Sequence, residues 1–180
     1  YYLIKQLHEA GAKVTTCDID AERVQRVVDE FGVAVVNPLE IYDVNAEIFA
    51  PCALGAILND DTIPRLKAKV ISGGANNQLA DADRHGPLLE DKGILYAPDY
   101  VVNAGGLINV FCELEGYVRE RAMRRASGIY ENTMRVFEIA KERDMPTFRA
   151  ADRMAEERIE MIGKVRRTWV GHQSLLIRKS

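Results

Sequence analysis

Apolar positions recur along this chain at helical spacing in some stretches and in short β-type runs in others. Leu3, Ile4, Leu7 and Ala10 share one helix face, and Gly11 terminates it. Residues 13–19 read as a strand ending in Asp18. Asp20 then stands where a helix cap belongs, ahead of Val24, Val27, Val28 and Phe31, with Gly32 as the stop. Residues 33–36, 47–52 and 69–72 give three more strands. Between them, Asn37-Pro38 opens a helical turn through Leu39 and Tyr42, and Asn59-Asp60-Asp61-Thr62 caps another around Ile63 and Leu66. Residues 81–92 are helical, either throughout or only after a loop at His85-Gly86-Pro87, and Gly93 ends them. Residues 94–97 form a fifth strand, stopped by Pro98.

Strands alternating with helical stretches predict a parallel sheet covered on both faces. From Glu113 onward the strands cease. Residues 119–143 predict one long helix with Ala122, Ile129, Val136, Phe137 and Ala140 among its apolar positions. Met145-Pro146-Thr147 breaks the pattern, and residues 148–164 predict a last helix carrying Met154, Ile159 and Ile162. Residues 166–180 show no period and read as loose.

Composition narrows the class. A chain of 180 residues makes one domain, or one with an appendage, and buries a real core. The net charge of −3 gives no reason to invoke nucleic acid or an acidic membrane surface. Cys17, Cys52 and Cys112 are far apart and odd in number, which argues against a disulfide framework and for a reducing, cytoplasmic setting. No apolar run has the length of a membrane span. There is no initiator Met, and position 1 already lies in a helical pattern, so it reads as a fragment boundary.

Candidate chemistry concentrates after the strands. In residues 96–110, Pro98 stops a strand, Asp99 and Asn103 favour a sharp turn, and Asn103 stands at the cap position of a helix containing Leu107, Ile108, Val110 and Phe111. Gly105 and Gly106 in its first turn cost about 1 kcal/mol each against alanine. That cost is understandable where a ligand approaches the backbone; a tight connection with no ligand is the plainer alternative. Asp18 ends a strand, as does the acidic residue that accepts ribose hydroxyls in dinucleotide-binding folds, although a solvated carboxylate looks the same in sequence. Small residues in 50–55 leave the backbone open to a flat ligand; Cys52 there has no base nearby and reads as a partly buried structural thiol. Asn76 and Asn77 offer paired carboxamides at a strand end, or an ordinary turn. His8, His85 and His172 have no ligand or triad spacing, and His8 reads as a surface residue. Arg121, Arg124 and Arg125 read as solvated charge or an ion-pair face at a subunit contact.

Taken together, Thr16-Cys17-Asp18-Ile19, Ile48-Phe49-Ala50-Pro51-Cys52-Ala53-Leu54-Gly55, Ala75-Asn76-Asn77-Gln78-Leu79, residues 96–110 and residues 150–159 resemble the glutamate/leucine/phenylalanine/valine dehydrogenase family, most nearly its leucine-specific branch. The resemblance runs through Arg167. It implies an α/β, Rossmann-like, doubly wound and mostly parallel sheet lacking its first strand, with a carboxy-terminal helical extension. Residues 1–115 would be a truncated dinucleotide-binding domain, 116–167 the extension and 168–180 a disordered tail. The cofactor implied is NAD, held by Asp18, Ile19, Cys52, Ala53, Ala75, Asn76 and Asn77. Asn77, Leu107 and Val110 would contact the substrate, L-leucine or a related branched-chain amino acid. No catalytic residue falls in this chain, since the family's lysines and aspartate belong to an amino-terminal domain. The reaction implied is reversible oxidative deamination to the 2-oxo acid and ammonia, in a homo-oligomeric parent with no metal, nucleic acid or membrane partner. Two alternatives stay open: a non-catalytic folded or self-associating fragment that does not bind NAD, and a valine- or phenylalanine-preferring member of the same family.

Overall fold

The computed structural model describes residues 1–168. The chain begins with helix α1 (Tyr2–Glu9) and strand β1 (Thr15–Thr16). Helix α2 (Ala21–Phe31) starts where its cap predicts. The Asp20 carboxylate accepts from the backbone N–H groups of Glu22 and Arg23 at 3.0 and 3.1 Å. It stops at Gly32, whose N–H donates the last helical bond to the Val28 carbonyl and whose φ of 63° turns the chain away. Strands β2 (Ala34–Val35), β3 (Ile48–Phe49), β4 (Val70–Ile71) and β5 (Leu95–Tyr96) follow in the expected order, each shorter than its apolar run.

All strand pairs are parallel. Thr15 stands opposite Ala34, and Ile48, Val70 and Leu95 stand in line across the other ladder. The expected α/β architecture is therefore present. The strands nevertheless form two ladders, β1-β2 and β3-β4-β5, where one doubly wound sheet was expected. No strand of the described residues pairs with both β1 and β3, so the two ladders are not hydrogen-bonded to each other.

Two apolar clusters hold the chain together. Leu58, Ile63, Leu66, Leu89 and Ile94 are buried together with Ile71 of β4 and Tyr96 of β5, with Tyr42 and Phe49 against them. Helix α3 (Ala82–Asp91) covers this cluster and runs unbroken through His85-Gly86-Pro87, so the alternative with a loop there is not observed. Its cap is Asp81, which accepts from Asp83 and Arg84 N–H groups.

The second cluster joins Val101 to Val136, Ile139 and Ala140 of α6 (Arg119–Arg143) and to Ala150 and Ala151 of α7 (Thr147–Thr168). The α7 entrance is tied to the sheet, because Thr147 Oγ1 donates to the Tyr96 carbonyl at 2.6 Å. Helix α7 extends to Thr168, past the predicted end at 164, so the part of the expected loose stretch at 166–168 is helical. The rest of the expected disordered tail, 169–180, lies outside the described residues.

Candidate functional site

The loops that leave β3 and β4 are zipped together by backbone hydrogen bonds. Ala75 N–H donates to the Pro51 carbonyl at 2.9 Å, Ala56 N–H to the Asn77 carbonyl at 2.6 Å, and Leu58 N–H to the Gln78 carbonyl at 2.9 Å. So close an approach requires glycine on both sides. A Cβ on Gly73 would lie 2.1 Å from the Pro51 oxygen, and one on Gly55 would lie 2.7 Å from the Asn76 oxygen. The result is a paired rim at the carboxyl ends of β3 and β4. Cys52, Ala53, Asn76 and Asn77 are exposed along it, while Ala75 is buried. Asn77 holds a left-handed backbone, with φ of 52°.

The Cys52 expectation is corrected here. Its thiol is exposed because Pro51, the residue before it, takes the inward position. The buried thiol is Cys112. Cys17, half-buried beside Asp18, has its pKa raised, first by burial and then by the neighbouring carboxylate.

Pro98 ends β5 and opens α4 (Asp99–Val102), a single turn that was not foreseen. That turn moves Asn103 out of the expected cap position of the next helix. Asn103 instead closes α4, and α5 (Gly105–Leu114) begins after Ala104 with no side-chain cap. The Asn103 carboxamide reaches the rim, its Nδ2 donating to Asn76 Oδ1 at 2.5 Å with the Ala75 carbonyl 3.5 Å away. Leu107 and Val110, one turn apart on α5, are 75% and 54% exposed, so neither is a core residue.

Asp99, read from the sequence only as a turn former, and Gln78, to which no role was given, organise this corner. The Asp99 carboxylate accepts from the N–H groups of Gln78 at 3.0 Å and Tyr100 at 2.7 Å. Gln78 is fully buried, and its Nε2 donates to the carbonyls of Gly73 and Ala75 at 2.8 and 2.9 Å. A carboxamide in a glycine-rich loop was the only signal in the sequence, and it did not distinguish Gln78 from its exposed neighbours. Tyr100 anchors α4 to α7 through its hydroxyl, which donates to Asp152 at 2.6 Å. Burial of the hydroxyl, and then the Asp152 hydrogen bond, push its pKa well above the usual phenol range.

Asp18 and Ile19 are exposed at the carboxyl end of β1, in the other ladder, and Asp18 accepts from the Asp20 N–H at 3.0 Å in a tight turn. The remaining candidates have structural roles. His85 is buried, and its Nδ1 accepts from the Asp81 N–H at 3.0 Å. His8 is exposed as expected, its ring 5.6 Å from that of Phe31. His172 lies outside the described residues. Of Arg121, Arg124 and Arg125, read from the sequence as solvated charge or an ion-pair face at a subunit contact, Arg124 is exposed and the other two bond within the chain at the α5–α6 corner. Arg121 donates to the Gly116 carbonyl at 2.5 Å, and Arg125 pairs with Glu115 at 3.1 Å over the Phe111 ring. A hollow of about 330 Å³ lined by His8, Lys13, Val14 and Phe31 opens at the amino ends of β1 and β2, the end at which parallel sheets do not bind ligands. Among the described residues no group of three or more His, Cys, Asp or Glu is placed to hold a metal ion, and no helix is long and apolar enough to cross a membrane.

Comparison with known proteins places this geometry. The family model for Glutamate/Leucine/Phenylalanine/Valine dehydrogenase matches residues 1–164. A leucine dehydrogenase of Thermoactinomyces intermedius is 59% identical over 98% of this chain and 48% of its own length. An L-tryptophan dehydrogenase of Nostoc punctiforme is 50% identical over 87% of the chain and 44% of its own length. The crystal structure of L-tryptophan dehydrogenase from that organism superposes with a TM-score of 0.86 at 49% identity, covering 88% of this chain and 48% of the other. The chain thus spans about half the length of the curated relatives it matches. With a family match across nearly the whole described chain and identities of this size, the chain belongs to the glutamate/leucine/phenylalanine/valine dehydrogenase family.

Proposed function

We propose that this chain is the coenzyme-binding part of an NAD-dependent dehydrogenase that deaminates L-leucine and other branched-chain amino acids to 2-oxo acids and ammonia. The observation that carries this reading is the Asn76–Asn103 hydrogen bond. It joins the rim formed after β3 and β4 to the corner that bears Leu107 and Val110. The rim is thus tied to the residue just ahead of α5 at the carboxyl ends of parallel strands, the end where ligands bind in α/β sheets, which supports the reading.

The donor set suits a dinucleotide. Asp18 offers an exposed carboxylate to ribose hydroxyls and would repel a 2′-phosphate. Cys52 and Ala53 are exposed and leave an edge for the nicotinamide ribose, and Asn76 and Asn77 stand exposed beside buried Ala75. When bound, the cofactor supplies the hydride acceptor. The chain's own residues would orient and select. Asn77 would hydrogen-bond the substrate amino group, and Leu107 with Val110 would wall its side chain. Such a wall discriminates by shape, at about 1–3 kcal/mol per methylene.

The residues that move protons, lysines and an aspartate in the family, belong on this reading to the half of the relatives' length that this chain does not span. A homo-oligomeric parent and a cytoplasmic setting belong to the same reading, consistent with three unpaired thiols. A preference for larger side chains is the second reading, favoured by relatives that act on tryptophan and phenylalanine at 50% and 42% identity.

The test is the cofactor preference of the full-length protein. Asp18→Ala is expected to weaken NAD and to narrow the gap in kcat/KM between NAD and NADP. An unchanged ratio removes Asp18 from the site. Failure of the wild type to turn over any 2-amino acid with NAD overturns the whole reading.

A further inference from the structure

We propose that Gln78 is a positioning residue that fixes the shape of the Ala75-Asn76-Asn77 rim, and that the rim loses its substrate-ready form without the two hydrogens of the Gln78 carboxamide. This rests on the function proposed above for the rim, and extends it to a residue that would touch neither cofactor nor substrate.

The geometry is specific to this side chain. Residues 73–77 belong to no helix or strand. Their exposed tip, Asn76 and Asn77, stands over a carbonyl pair that both Nε2 hydrogens of Gln78 satisfy. The backbone of the same residue closes two further links. Its N–H donates to Asp99 Oδ2, and its carbonyl accepts from Leu58 N–H. One residue therefore ties the rim to α4 on one side and to the segment after β3 on the other.

The orientation of the carboxamide is unambiguous, because a flipped amide would set Oε1 against two carbonyl oxygens. Oε1 itself is buried with no partner among the described residues. What the side chain supplies is two donors at a fixed spacing. Methionine fills similar volume and donates nothing. Ionised glutamate would place a charge against both carbonyls. Asparagine is one methylene too short.

Gln78→Met and Gln78→Glu in the full-length protein separate positioning from bulk stability. With Gln78→Met, kcat/KM for the amino acid is expected to fall by about 10-fold or more, a misplacement of around 1 Å being worth up to about 100-fold in rate. Amide hydrogen exchange is expected to speed up in residues 73–77 and to stay slow in the buried cluster around Leu58 and Ile71. The activity of Gln78→Glu relative to wild type is expected to climb as pH falls, because a buried carboxyl takes up a proton and regains one donor. Gln78→Met shows no such climb. Normal kinetics in both variants with a lowered melting temperature would overturn the proposal and leave Gln78 as packing. If the wild type turns over no amino acid, the functional reading fails on its own, and exchange in residues 73–77 still decides the proposal: faster in Gln78→Met supports it, unchanged overturns it.

Discussion

Asn103 donates its Nδ2 hydrogen to Asn76 Oδ1 at 2.5 Å, across 27 residues of sequence. The same Nδ2 lies 3.5 Å from the Ala75 carbonyl, so it faces two acceptors, and that fixes how both carboxamides point. Asn76 Oδ1 is engaged inward, which leaves the Asn76 amide hydrogens as the group offered to a ligand. A donor there suits a carbonyl or carboxylate oxygen better than an ammonium.

Asn103→Ala removes that constraint. The half-exposed hydrogen bond is worth about 0.5–1.5 kcal/mol, so the variant is expected to fold with a small loss of stability. In the full-length protein the loss should fall on ligand binding, because a freed Asn76 presents oxygen and nitrogen equally. Titration calorimetry with NAD, and the amino-acid KM, measure it. Unaltered constants for both would mean that Asn76 faces no ligand.

Tyr100 ties α4 to α7 and sets an alkaline limit. Its folded pKa is raised above the ordinary value of 10.0, by burial and by the hydrogen bond to Asp152. A raised pKa means that the folded state favours the protonated phenol. The resulting stability is complete below about pH 10 and is lost as the unfolded chain ionises above it. Tyr96, the buried residue of β5, is raised for the same first reason and acts in the same direction. Tyr100→Phe should therefore cost about 0.5–1.5 kcal/mol near neutral pH, toward the low end because the ring is 47% exposed. The difference between variant and wild type should shrink above about pH 10, since phenylalanine does not titrate. Urea unfolding across that pH range gives the comparison; a difference that stays constant or grows would show that the hydroxyl is not what Tyr100 contributes.

Signals carried by neighbouring residues were legible in the sequence. Asp20 and Gly32 bound α2, Pro98 stops β5, and the apolar period of α6 runs from Arg119 to Arg143, all within a few residues of where the pattern puts them. Contacts between distant residues were not. Nothing near Asn103 says that it will turn back to Asn76 and not cap α5, and nothing near Gln78 says that it will be buried. The exposure of Cys52 depends on which of two adjacent residues faces inward, and the Gly73 contact with Pro51 decides that 22 residues away. The split into two ladders is likewise a matter of which strands pair, and local pattern does not carry pairing.

Leu107 carries the specificity prediction, and its exposure sharpens it. At 75% exposed, the side chain has no core to support, so Leu107→Ala should change stability by no more than about 0.5 kcal/mol. A buried leucine would cost about 2–5 kcal/mol instead. Leu107 and Val110 share one face of α5, just past Gly105 and Gly106, on the helix that Asn103 and Ala104 bring to the rim. If that face walls the substrate side chain, removing three carbons from Leu107 opens room for longer or aromatic groups. In the full-length protein the ratio of kcat/KM for phenylalanine to that for leucine should rise by about 10-fold or more. The KM for NAD should hardly move, because this side chain would not touch the dinucleotide. A substrate panel with thermal melts on the same variant reads all three quantities. An unaltered phenylalanine-to-leucine ratio in a stable variant would show that α5 presents Leu107 to something other than the substrate.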